Sequence, residues 1–434
     1  MFFIKSLGTH ISEHKGHKEM SLNNPMIEFL DPEYVYLPLV EQNTPCEALV
    51  KVGDKVKMGQ VVAMKTGRFS SPIHASVSGE VVSITQKMWH ASGKMVPTIQ
   101  IKNDFQENKV ETIKENDVSS LSKEEIIEIV KANGIVGLGG SGFPTYAKLE
   151  VNYPIDVIIV NAVECEPYIT VDYTLIKDHL DELLRGINYL MKAVDAPRAV
   201  IAIKENKKAL IEKINLSLDS ESNISIFTVK DEYPAGWEKY LVHRVTNKNY
   251  KTIPCEAGAL VNNASTIVAV CHAVEMNQPL IEKMVTITGE GINEPKNVYT
   301  KIGANLHDII QKAGGYIDDL EEAYFIAGGP MTGSSIMFDT LVVHRSLSSV
   351  IVMPKKIREI NPTCMGCGKC GEVCPVFLSP IVIKEALEAN DMKSLIQARP
   401  ELCMQCGLCS YICPSRIELT DAVTKAKAKV MVKR

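Results

Sequence analysis

The spacing of apolar positions changes character several times along the chain. Residues 1–27 are polar, carry His10, His14 and His17, and read as an arm. From Tyr34 to Ile101 short apolar runs alternate with turn signals such as Val52-Gly53-Asp54-Lys55, Lys57-Met58-Gly59-Gln60 and Val77-Ser78-Gly79-Glu80. β runs punctuated by glycine in this way predict a small sandwich or barrel. Residues 103–120 are charged and linker-like. Ser122, with Glu125 three residues on, is a capping signal for a helix that starts at Lys123. Beyond it, the apolar runs Val157–Asn161, Ala199–Ile203 and Ile224–Val229 alternate with the helical patterns Leu175–Ala193 and Lys207–Leu216. That rhythm predicts a parallel sheet with helices on its faces. Residues 284–335 read as strands around a helix Leu306–Ala313 that Gly314-Gly315 stops. The cysteine-rich remainder ends in a basic, Ala-rich helix, Asp421–Arg434.

Composition narrows the function classes. With 434 residues, 45% apolar and 23% charged, the chain can fill several cores and is not a disordered polymer. A net charge of −5 gives no electrostatic basis for binding nucleic acid. No apolar run approaches the ~18 residues of a membrane span. Met1-Phe2-Phe3-Ile4-Lys5 opens without the apolar region of a signal peptide. A cytoplasmic protein is expected, soluble or held peripherally on the cytoplasmic face of a membrane by partner subunits.

Eight of the twelve cysteines lie between Cys364 and Cys413. Clustering of this kind, without an export signal, points to metal ligands rather than disulfides. Cys364, Cys367, Cys370 and Cys374 follow C-x2-C-x2-C-x3-C with Pro375 next, and Cys403, Cys406, Cys409 and Cys413 repeat it with Pro414 next. This is the bacterial ferredoxin spacing, in which the fourth cysteine ligates the other cluster. One [4Fe-4S] cluster is thus assigned to Cys364, Cys367, Cys370 and Cys413, and the second to Cys403, Cys406, Cys409 and Cys374. Gly366, Gly368 and Gly407 would let backbone amides approach the sulfurs. Four thiolates can also hold structural zinc, so two zinc sites are the alternative. Such clusters move single electrons, and a flavin is the usual converter from a two-electron donor.

Gly137-Leu138-Gly139-Gly140-Ser141-Gly142-Phe143-Pro144-Thr145 is a loop whose amides could approach a phosphate. It follows a helix, not a strand, so it is not the ordinary dinucleotide fingerprint. Asn161-Ala162-Val163-Glu164-Cys165-Glu166-Pro167 leaves the end of a buried strand, where open parallel sheets bind ligands. Val261-Asn262-Asn263-Ala264-Ser265-Thr266 offers two amides and a hydroxyl ahead of an apolar helix.

These three segments resemble the flavin-binding subunit of respiratory complex I. The order of modules is similar to the C subunit of the Rnf electron-transport complex, as are Val163–Tyr168 and Tyr233-Pro234-Ala235-Gly236-Trp237-Glu238-Lys239. The resemblance implies a multidomain α/β protein. An arm (1–27) precedes a barrel-sandwich hybrid (28–105), a Rossmann-like FMN-binding α/β domain (120–278), a β-grasp SLBB-type module (280–353) and a double-cluster ferredoxin-like α domain (356–434). It also implies FMN, NADH as donor, and electrons leaving through two [4Fe-4S] clusters. Carried over by residue, Gly137, Gly139, Gly140 and Lys148 would hold the FMN phosphate side. Asn161, Glu164, Asn262, Asn263 and Thr266 would contact the ribityl chain or ring, and Phe143, Glu166 and Glu238 would face NADH. Ile253-Pro254-Cys255-Glu256-Ala257-Gly258, Met88–Gly93 and Val342-Val343-His344-Arg345 depart from the usual Rnf pattern. The departures fit a soluble relative such as PrdC, with a proline reductase-type enzyme as partner in place of Rnf membrane subunits. A corrinoid reductase of the PduS type and a docking module with a vestigial flavin site are the other readings.

The 28–105 region resembles biotinyl and lipoyl domains, and Lys65 falls roughly where those carry their modified lysine. Its incomplete flanks favour a purely structural module. The three arm histidines lack the partners of a metal site. Cys46 and Cys271 read as core residues. Cys255 reads as a small buried residue, with a redox thiol near the flavin as the alternative. Trp89 and Trp237 read as packing residues.

Overall fold

The computed structural model describes residues 16–219, 221–355 and 363–432. His10 and His14 lie outside them. His17 stacks on Tyr168 with ring centroids 4.8 Å apart, so the end of the arm packs on the protein.

The first module is two facing sheets. One runs Tyr34–Pro38, Lys94–Asn103, Gly79–Ser83, Lys55–Val56; the other runs Val40–Glu41, Thr44–Ala48, Val61–Lys65, Ser71–His74. Alternate residues such as Val35, Leu37, Ile99 and Ile101 are sealed between them. Lys65 is buried, and its amine donates to Gln42 Oε1 at 2.6 Å, so it is unavailable as a lipoyl-type lysine. Ile27–Phe29, at the expected start of this module, instead pairs in parallel with Lys296–Lys301 of the third.

The second module has a four-stranded parallel sheet in the order Ile224–Val229, Ala199–Lys204, Val157–Asn161, Ala259–Asn263. The chain winds outward from the Val157 strand in one direction, then returns to its other side. The switch point therefore lies between the ends of the Val157 and Ala259 strands, where Asn161 pairs in register with Asn263. Ser122 and Glu125 form the expected reciprocal cap of the helix Lys123–Ala132. The helix expected over Leu175–Ala193 is two, Val171–Asp178 and Leu180–Ala193, because His179 leaves helical geometry (φ −126°, ψ 40°). Gly186 is required where the second crosses Ala264–Met276: a Cβ there would sit 2.4 Å from the Ile267 carbonyl.

The third module is a six-stranded mixed sheet with Leu306–Lys312 packed on it. Arg345 locks it to the other two. It forks onto the Glu41 carboxylate and donates to Ser71 Oγ and to the carbonyls of Pro72 and Gly134. His344 beside it is buried and stacks near His90 at 4.1 Å.

The last module is helical and internally repeated. Each cysteine run leads into a one-turn helix, Lys369–Glu372 or Leu408–Tyr411. The left-handed positions correspond: Gly366 with Gln405, Gly368 with Gly407, and Phe377 with Arg416. Leu419–Val432 closes the core against Pro380–Glu388. Among the described residues no helix is long and apolar enough to cross a membrane.

Candidate flavin and iron-sulfur sites

The glycine loop closes on itself. The Gly137 amide donates to the Phe143 carbonyl at 2.9 Å, and the Gly142 amide donates to the Gly137 carbonyl at 2.9 Å. Leu138 N–H donates to Thr266 Oγ1 at 2.9 Å, which pins the loop over the start of the Ala264–Met276 helix. A Cβ on Gly139 would lie 3.0 Å from the Asn263 side chain, so any larger residue would crowd that approach. Gly140 has φ +102° and open space on the side a Cβ would occupy.

The three segments converge at the switch point. Asn262 is buried, and its Nδ2 has no hydrogen-bond partner among the described residues. An orphan donor of that kind costs roughly 1–3 kcal/mol unless something accepts from it. Lys148, half-buried, donates to the Val261 carbonyl at 2.8 Å. Burial lowers its pKa against the pull of Glu238. An orphan amide, a half-buried amine and a glycine rim open at Gly140 fit a phosphorylated ribityl chain.

Other predicted contacts are engaged within the protein. Asn161 Nδ2 donates to the Gly236 carbonyl at 2.8 Å. Asn263 caps its helix through Ser265 N–H and donates to Asp172 Oδ2 at 2.6 Å. Glu164, in left-handed geometry (φ 42°), accepts from Asp172 N–H at 2.7 Å and lies 3.6 Å from the buried amine of Lys18. Burial pushes Glu164 up to about 7 against the pull of Lys18. Burial also raises Asp172, opposed by its bonds to Ser265 and Asn263. Glu166 uses both oxygens, accepting from Met331 N–H at 3.1 Å and Thr332 Oγ1 at 2.6 Å. Glu238 accepts from Tyr250 Oη at 2.9 Å. Phe143 meets Phe69 of the barrel-sandwich edge-on, with centroids 5.1 Å apart.

In the last module Cys374, Cys403, Cys406 and Cys409 line one cavity. The fourth cysteine of the first run thus faces three of the second. Backbone N–H···S contacts recur in both repeats: Gly366 to Cys364 and Gln405 to Cys403, then Leu378 to Cys374 and Ile417 to Cys413. Such amides stabilise thiolates around iron and adjust cluster potential. Cys46, Cys255 and Cys271 are buried in the fold; Cys165 is half-buried beside Gly236.

Comparison with known proteins fits this geometry. Residues 6–106 match the RnfC barrel sandwich hybrid domain, 130–272 the Nuo51 FMN-binding domain, 284–334 the SLBB domain and 363–417 the 4Fe-4S dicluster domain. The C subunit of the Na(+)-translocating ferredoxin:NAD(+) oxidoreductase complex of Acetobacterium woodii is 32% identical over 86% of this chain and 85% of its own. The chain belongs to the RnfC family. The proton-translocating counterpart from Clostridium ljungdahlii is likewise 32% identical, over 84% of this chain and 81% of its own. The RnfC-family subunit of Rhodobacter capsulatus is 32% identical over 87% and 74%. An NAD+-reducing [NiFe]-hydrogenase chain shares the fold at 18% identity and TM-score 0.50, over 71% of this chain and 63% of that one. As an RnfC-type chain the protein is an electron-transfer subunit whose cofactors are FMN and two [4Fe-4S] clusters.

Sequence reasoning missed Lys18, Gln42 and Asp172, none of which lies in a motif. Asp172 could have been found as the carboxylate in the first turn of the helix that follows the Glu164 segment.

Proposed function

We propose that this chain oxidises NADH at the switch-point cleft and delivers single electrons, by way of its cysteine-rich domain, to a redox protein partner. FMN, when bound, supplies the conversion between two-electron and one-electron chemistry. The chain's own residues bind and orient. Gly139, Gly140 and Lys148 would hold the phosphate, with Gly137 closing the loop through the bonds it already makes, and Asn262 would donate to the ribityl chain or ring. Asn161, Asn263 and Thr266 would shape the floor through the bonds they already make. Phe143 and Glu238 would line the NADH side, with Glu164 and Glu166 fixing the backbone beneath it. No general base is needed. The observation that carries this reading is the orphaned Asn262 donor under the glycine loop at a topological switch point.

The names of the relatives, subunits of ion-translocating complexes, support Rnf subunits as the partner, and we place the chain peripherally on the cytoplasmic face of a membrane as part of the same proposal. They also describe electron flow between ferredoxin and NAD+, so the reverse direction belongs to the same proposal. A proline reductase-type partner, as in PrdC, has no comparable support. The test is anaerobic addition of NADH to purified protein. Bleaching of a bound flavin band supports the reading, and protein that carries flavin yet is untouched by NADH overturns it.

A further inference from the structure

The two cysteine runs are equal in spacing and backbone, yet their surroundings differ. Gly407 and Gly368 occupy equivalent positions with nearly equal φ, +79° and +74°. A Cβ on Gly407 would sit 2.3 Å from the Met331 carbonyl, whereas one on Gly368 would meet nothing within 4 Å among the described residues. The next residue is Leu408 in one repeat, fully buried, and Lys369 in the other, exposed. Cys364 and Cys367 are exposed and Cys370 and Cys413 partly covered, while Cys403, Cys406 and Cys409 are partly covered and Cys374 is buried. A single repeat duplicated in sequence has one copy pressed into the protein and one facing outward.

What presses on the covered copy is specific. Tyr233 is 3% exposed, and its hydroxyl donates to the Cys406 carbonyl at 2.7 Å. Its ring packs on Leu408, with Cys165, Met331 and Val373 around it. Trp237, four residues on, packs against the core that contains Cys374 and Cys403. Between them Gly236 accepts from Asn161 at the switch point. Residues 233–237 thus run from the flavin cleft to the second cysteine loop. The Met331 loop is held from the same side: a Cβ on Gly329 would lie 2.3 Å from Glu166 Oε2, and that carboxylate grips Met331 and Thr332.

We propose that the two cysteine sets have fixed, different roles. Cys374, Cys403, Cys406 and Cys409 form the inner set, seated against the flavin domain by Tyr233, and electrons enter there. Cys364, Cys367, Cys370 and Cys413 form the outer set, and electrons leave there to a one-electron protein acceptor. The inference rests on the reading that NADH is the donor: each NADH gives NAD+, one H+ and two electrons, and each electron reduces one acceptor protein. Tyr233 is a positioning residue in this scheme, and the exposed Cys364–Cys367 side of the outer set is the face that a partner must reach.

Selective cysteine labelling tests this independently of turnover. Anaerobic protein with its iron is exposed to limiting ferricyanide, and freed thiols are alkylated and located by mass spectrometry. Cys364 and Cys367 are expected to label several-fold faster than Cys403, Cys406 and Cys409. Tyr233→Phe, with the same circular dichroism as the parent, is expected to speed labelling of the inner set alone. It should also change the electron paramagnetic resonance signal of one dithionite-reduced cluster and leave the other as it was. Equal rates for the two sets, or faster labelling of the inner set, would overturn the assignment. An unchanged inner set in Tyr233→Phe would remove Tyr233 from it. Protein without iron would instead undo the electron-transfer reading itself.

Discussion

Gln42 of the barrel-sandwich donates its side-chain amide to the carbonyl of Ser141 in the glycine loop. The same side chain accepts from the buried Lys65 amine. A lysine at the place where lipoyl domains carry a cofactor here orients a residue that braces the flavin loop. Gln42→Ala removes both bonds, and loss of the one to the flavin loop, roughly 1 kcal/mol, predicts about fivefold weaker FMN retention. Fluorescence of released FMN on dilution measures it, and retention equal to the parent's would show that the brace is idle.

The carboxylate pair at the strand end gives a pH prediction. Glu164 is held above its ordinary range, at about 7, chiefly by burial, and faces Lys18, Asp172 and Lys207. Its folded pKa lies above the unfolded one, so the linked stability is complete below about pH 4.5 and is lost as pH rises through about 7. Glu164→Gln keeps the acceptor for Asp172 N–H and has no proton to lose. Denaturant melts between pH 4.5 and 7.5 should show a flatter stability profile in the variant. The same slope in both proteins would mean that this carboxyl does not titrate there.

Cys374→Ser separates position in sequence from position in space. Cys374 lines the cavity of Cys403, Cys406 and Cys409, so the substitution should perturb that cluster and spare the one bound by its own run. Iron content should fall toward half, with one of two resonance signals altered. Loss of the signal assigned to Cys364, Cys367 and Cys370 would contradict the crossed pairing.

Much of this was legible in the sequence because the informative residues sit at fixed spacings. Repeated cysteine runs and a glycine-dense loop leave few alternative chemistries. The parallel sheet was legible from apolar runs because strands buried on both faces cannot alternate. The rest depends on long-range contacts that spacing does not encode. Lys18 reaches Glu164 across about a third of the chain, and Arg345 reaches Glu41 across most of it. Glu166 reads as a ligand-facing acid, yet both its oxygens grip a loop more than 160 residues away. His179 breaks a helix that apolar periodicity joins, because the pattern of buried residues runs on through the break.

The most direct test of the electron path is Gly140→Val, with the two reductants compared side by side. Among the described residues, nothing beyond its chain neighbours lies within 4 Å of a Cβ at Gly140, so the side chain would occupy space left for ligand. A branched residue at φ +102° also strains the loop by about 1–3 kcal/mol. By contrast a Cβ on Gly137 would lie 2.1 Å from Ser141 Oγ and would break the loop itself. The predicted result for Gly140→Val is loss of FMN with both clusters assembled. Dithionite should still reduce the clusters, and NADH should not. Rapid NADH-driven cluster reduction in a flavin-free variant would contradict the account, since electrons would then enter elsewhere.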